Sequence, residues 1–167
     1  MKYPKTKEVK NLKRYRIIIL ESVDGGGKTT LGLYLSKKLK KSYYHDPLDN
    51  STGETNFLNY YKNISEKSFP EGGILDRSFY SGIVYDKVFE NKTHPRILKP
   101  LEREYIDCCV IFCKPTVRIQ EDRPEVYEME GNTEKLYKEF EKLWSKSNLD
   151  IYQWDYTTGV LKKWEVN

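Results

Sequence analysis

Apolar residues fall in short blocks along this chain, with amphipathic stretches between them. Residues 15–20, YRIIIL, form a β-branched apolar run of the kind expected for a central parallel strand covered by helices on both faces. Leu31, Leu35 and Leu39 then recur every four residues and predict a helix over about 28–41. SYYH (42–45) predicts a second strand, closed by Asp46-Pro47, and the polar, turn-rich stretch 47–73 contains one helix candidate, NFLNYYKNI. GGILDRS supplies a third strand ending at Asp76, followed by a helix over about 79–90 and a loop containing KTHPRI. CCVIFC (108–113) reads as a fourth strand and IYQWDY (151–156) as a fifth. Between them Leu136, Phe140, Leu143 and Trp144 share one face of a helix over about 132–147.

Strand and helix alternate throughout, which predicts an α/β fold in three layers, a five-stranded parallel sheet with helices on both faces. No repeat, linker or compositional break divides residues 1–167, so a single domain is expected. In such sheets ligands gather at the carboxyl ends of the strands. Gly25 to Thr29, Asp46 and Asp76-Arg77 all fall at predicted strand ends.

Composition refines this picture in three places. The chain is polar, 38% hydrophobic and 32% charged, yet 14 tyrosines, 6 phenylalanines and 3 tryptophans supply an aromatic core. The net charge of +4 is concentrated early: Lys2, Lys5, Lys7, Lys10, Lys13, Arg14 and Arg16 stand against Glu8 alone. Residues 1–14 therefore read either as a solvated, frayed terminus or as a basic arm for a polyanion such as DNA. Cys108, Cys109 and Cys113 are too bunched for a disulfide framework and read as core residues, which fits a reducing, cytoplasm-like compartment. The sequence has no run of about 18 apolar residues, so no membrane partner is expected.

The chemistry centres on ESVDGGGKTT, residues 21–30. Gly27, Lys28 and Thr29 match the end of the phosphate-loop pattern G-x-x-x-x-G-K-[ST], while Ser22 stands where that pattern has glycine. Asp24, Gly25, Gly26, Gly27, Lys28, Thr29 and Thr30 are the expected nucleotide contacts: glycines let successive amides face a phosphate, and the following helix N-terminus adds positive potential. Lys28 would hold the β- and γ-phosphates of ATP, and the Thr29 hydroxyl would ligate Mg²⁺. Asp76 is a second candidate for the metal, or for the acceptor's proton, and Arg77 can fork onto a phosphate; a plain structural ion pair is the alternative.

ESVDGGGKTT resembles the loop of thymidylate kinases and related (deoxy)nucleotide kinases, E-G-x-D-G-x-G-K-T-T, and LDRSFYS resembles their D-R-[YH]-x-x-S segment. DRSFYSGIVYDKVF also looks like small phage-encoded relatives, for which the host cytoplasm would be the location. The resemblance implies the three-layer P-loop kinase fold, dependence on ATP and Mg²⁺, and a short lid over about 114–131. Within that lid Arg118 would contact the nucleotide and Arg123 would assist catalysis, against the alternative of an ordinary charged loop. Asp46, where the family has Glu before Pro, is either a turn former or a contact to a substrate hydroxyl. Phe57 and Tyr80 are candidates for stacking on a base, though at helical spacing most of the aromatic cluster to which they belong should be core packing.

The sequence departs from thymidylate kinases in its cut-down acceptor region, with no arginine between Arg16 and Arg77. Three readings follow: a (deoxy)nucleoside monophosphate kinase, a kinase of a hydroxyl in a polynucleotide such as 5-hydroxymethyluracil in DNA, and a non-catalytic nucleotide-binding protein. Monomer and homodimer both remain open.

Overall fold

A computed structural model describes residues 1–45, 72–94, 96–116 and 130–165. Its centre is β1 (Ile17–Glu21), buried at all five positions, lying parallel to β3 (Gly73–Asp76) on one side and β4 (Cys108–Cys113) on the other. Outside these run β2 (Tyr43–His45) and β5 (Asp150–Asp155), both parallel to their neighbours. A sixth strand, β6 (Val160–Lys163), pairs antiparallel with β5 and gives the order β2-β3-β1-β4-β5-β6. The expected five-stranded, all-parallel sheet is thus corrected to six strands. The tight turn at 156–159, with Gly159 at φ 78°, folds VLKK back on β5 as an edge strand rich in lysine.

Alternate residues of each central strand serve opposite faces. Ile17, Ile19, Leu75, Val110, Phe112 and Ile151 pack under α3 (Phe79–Phe89), α4 (Leu98–Glu104) and α5 (Thr133–Trp144). Ile18, Leu20, Ile74, Ile111 and Trp154 pack under α1 (Thr6–Asn11) and α2 (Lys28–Leu39). The cysteines obey the same alternation, Cys108 on the first face and Cys109 on the second.

Two elements differ from the sequence expectation. α4 occupies part of the stretch read as loop; its Pro100 sits in the first turn, where the missing N–H has no intrahelical role. The basic N-terminus is not frayed. Val9 and Leu12 are buried, each worth about 1.5–3 kcal/mol, which outweighs the screened repulsion of the exposed lysines around them. Tyr3 also stacks on Tyr34 of α2, and the Lys2 amide donates to the Tyr156 carbonyl at 2.7 Å. None of the described helices is long and apolar enough to cross a membrane.

Candidate active site

The turn between β1 and α2 holds its shape through two glycines with positive φ, Gly25 at 74° and Gly27 at 84°. α2 starts directly at Lys28, so the amides of its first turn lack intrahelical acceptors and point toward the loop's concavity. Ser22, the departure from the pattern, is fully buried and donates its hydroxyl to the Cys113 carbonyl, tying the loop to β4. Gly26 must then lack a side chain: a Cβ there would lie 1.8 Å from Ser22 Oγ. Trp154 and Tyr156, at the end of β5, pack against Gly27 from the other side.

Lys28 is 6% exposed, with its Nζ on the carbonyl oxygens of Val23 at 3.1 Å and Ser22 at 3.4 Å. Burial, and then the charge of Arg77, push its pKa down. A cation in this setting gains from an incoming anion far more than a solvated lysine would.

Opposite the loop, Asp76 ends β3 with no exposed surface. Its Oδ2 accepts from Thr29 Oγ1 at 2.9 Å and from the Tyr43 hydroxyl at 2.6 Å, and His45 Nδ1 lies 3.4 Å away. Its Oδ1 is buried and without a hydrogen-bond partner among the described residues. A buried carboxylate oxygen left unmade is costly, so its exposure to a cation or donor would be compensated on binding. Thr29 and Asp76 therefore fit an Mg²⁺ ion, which takes few protein oxygens and keeps water and phosphate in its other positions.

Arg77 adopts φ 76°, its amide donating to the Leu20 carbonyl at 3.0 Å. Its guanidinium is paired with Asp24 and lies 5.3 Å from the centre of the Tyr85 ring, while Nη1 is buried without a hydrogen-bond partner among the described residues. Asp24, expected at the nucleotide, is thus engaged with Arg77. Thr30 lies half-buried in the first turn of α2.

Two roles were not assigned from the sequence. Tyr43 holds Asp76; the signal was the two-residue spacing of Tyr43 and His45, which puts both on one face of the short strand β2, Tyr43 at its start and His45 at its carboxyl end. Gly32 makes this possible, since a Cβ there would meet the Tyr43 ring at 2.4 Å. Glu21 ends β1 fully buried, accepting from Ser78 Oγ at 2.6 Å and from Ser81 Oγ. Burial pushes its pKa up to about 7 against the lowering effect of those hydroxyls and of Arg77 and Lys28.

Tyr80 is corrected from base contact to core residue: it is fully buried, with its hydroxyl on Glu102 at 2.6 Å and its ring against Trp144 and Phe79. Asp46, Phe57, Arg118 and Arg123 lie outside the described residues.

No protein-family model matches the sequence, and no curated protein matches it. Solved structures do match. YorR from Bacillus subtilis, in complex with phosphorylated GDP, superposes with a TM-score of 0.65 at 24% identity, over 85% of this chain and 86% of that one. Deoxyadenosine kinase from M. mycoides superposes with a TM-score of 0.56 with bound dATP, at 18% identity, over 84% of this chain and 91% of that one. Its form with bound dCTP gives 0.51 at 18% identity, over 84% and 89%. The chain has the P-loop kinase fold of these neighbours.

Proposed function

We propose that the protein is an ATP- and Mg²⁺-dependent phosphotransferase acting on a free (deoxy)nucleoside monophosphate. The observation that carries the reading is the meeting of Thr29 with Asp76 at 2.9 Å, which brings the phosphate loop and the D-R segment to one point. A nucleotide binder needs the loop; it does not need a buried carboxylate aimed at it.

In this reading the amides from Gly25 to Thr30 and the Lys28 ammonium hold the phosphate tail of the donor. Thr29 and Asp76 would hold the magnesium ion, whose contribution is to neutralise charge on the phosphate oxygens during transfer. The acceptor's phosphate, whose oxygen attacks the γ-phosphorus of ATP as ADP leaves, would approach from the β2 side, where Asp46 follows His45 and Tyr43 fixes the Asp76 carboxylate. Arg118 and Arg123 are the candidates to offset developing charge and exclude water when the acceptor binds.

The fold neighbours with bound dATP, dCTP and phosphorylated GDP support a small nucleotide ligand. The docked N-terminus weakens the polynucleotide alternative, because Val9 and Leu12 fix the basic segment on α2's side of the sheet instead of leaving it free to wrap a strand. Incubation with γ-labelled ATP and Mg²⁺, with each deoxynucleoside, each monophosphate, and plain or hydroxymethylated DNA in separate reactions, tests the proposal. Labelled diphosphate is expected in a monophosphate reaction; label in a deoxynucleoside or in DNA alone contradicts it.

A further inference from the structure

Among the charged groups around the loop, one has no part in the chemistry just described. Glu21 lies beneath the loop with no exposed surface, and carboxylates are almost never fully buried without a specific partner. Its hydrogen-bond partners among the described residues are both hydroxyls: Ser78 reaches one carboxylate oxygen at 2.6 Å and Ser81 reaches the other. Ser78 is the N-cap of α3, accepting from the Tyr80 amide at 3.3 Å, and Ser81 lies one turn in. The last residue of the strand that feeds the phosphate loop thus grips the first turn of the helix that follows Asp76-Arg77.

Resting on the phosphotransferase reading, we infer that Glu21 is a positioning residue: it locks the Asp76-Arg77 turn to the phosphate loop, so that carboxylate, guanidinium and phosphate grip keep one geometry. The turn needs such a lock. Arg77 sits at φ 76°, a region that non-glycine residues avoid, and its own amide has a single backbone tie, to Leu20. A hydroxyl pair on one carboxylate fixes both the direction and the rotation of the helix start, which a single hydrogen bond does not. Among the described residues, Lys28 and Arg77 supply the positive field that Glu21 faces, and the Cys113 thiol and the Tyr85 hydroxyl also feel its charge.

Burial of the Glu21 carboxyl would be wasted in a loop that served only to bind phosphate, since β1 could end on an apolar residue at no cost. Its placement makes sense where the distance between Lys28 and Asp76 must be held to a fraction of an ångström, as in-line transfer requires.

Glu21→Gln keeps an acceptor and a donor for the two hydroxyls, whereas Glu21→Ala and Ser81→Ala remove the tie. Steady-state kinetics should show kcat falling at least about tenfold in Ser81→Ala and more in Glu21→Ala, with KM for ATP within about threefold, and Glu21→Gln recovering most of kcat. Hydrogen exchange of the amides of residues 77–82 should quicken in Ser81→Ala and Glu21→Ala but not in Glu21→Gln. That second readout needs no turnover, so it separates the two claims. An inactive wild-type protein with the expected exchange pattern overturns only the phosphotransferase reading. Unchanged exchange in Ser81→Ala, or kcat and KM moving together in every variant, overturns the positioning role.

Discussion

The hydroxyl of Thr29 donates to Asp76 Oδ2 at 2.9 Å, joining residues 47 apart in sequence, the first turn of α2 and the carboxyl end of β3. Because Tyr43 also donates to Oδ2, the carboxylate is held from two sides with Oδ1 left over. Asp76→Ala should lower kcat by about 10³-fold or more, and Thr29→Ala by about 10–100-fold with a raised Mg²⁺ requirement. Measuring kcat against Mg²⁺ concentration checks both. Retention of the wild-type Mg²⁺ dependence in Thr29→Ala would remove that hydroxyl from the metal site.

Lys28 makes a distinct prediction, because its burial costs stability that contacts to a bound phosphate would restore under the proposed function. Lys28→Met removes a desolvated cation whose acceptors among the described residues are two loop carbonyls, so thermal stability should hold or rise while turnover falls by about 10²-fold or more. Calorimetric unfolding beside a transfer assay measures the pair. A large drop in stability would mean that the lysine is structural.

Ser22 and Gly26 are predicted to be coupled. Gly26→Ala places a Cβ 1.8 Å from Ser22 Oγ and should abolish nucleotide affinity by deforming the loop. In the double variant Ser22→Gly, Gly26→Ala the nearest remaining neighbour is the Val23 carbonyl at 3.1 Å, so affinity should partly return. Additive losses in a binding titration would contradict the steric account.

Glu21 should leave a pH signature in stability. Its folded pKa, about 7, is raised above the ordinary 4.5 by burial, so its contribution is fully present below the unfolded value and is lost as pH rises through about 7. Glu21→Gln has no such loss. The melting temperature of the variant minus that of the wild type should therefore grow from about pH 5 to about pH 8. A difference that stays constant would show that the carboxyl does not titrate in this range.

Sequence periodicity found the elements whose burial is one-sided or complete. Leu31 and Leu35 placed α2, and CCVIFC matched β4 residue for residue, because a strand covered on both faces has no polar position to blur its ends. α4 escaped because Pro100 and a run of charges masked its two core residues, Leu98 and Leu101. β6 escaped because three of its four positions face solvent. The loop and the D-R segment were legible as motifs, since their chemistry depends on residue type at fixed spacing. The hydrogen bonds from Tyr43 to Asp76 and from Ser81 to Glu21 were not, because they join segments whose distance depends on strand order. Tyr80 failed for the same reason: helical position alone does not say which side of α3 meets Trp144.

The central claim is that the Gly25 to Thr29 nest and Asp76 together move a phosphoryl group. The most direct measurement is transfer from γ-labelled ATP to a pool of free deoxynucleoside monophosphates, wild type beside Asp76→Ala, with and without Mg²⁺. The account predicts labelled diphosphate from the wild type with Mg²⁺ alone, and a loss of about 10³-fold in the variant. Equal rates in the two proteins, or no labelled product from the wild type while ATP binds, would contradict it.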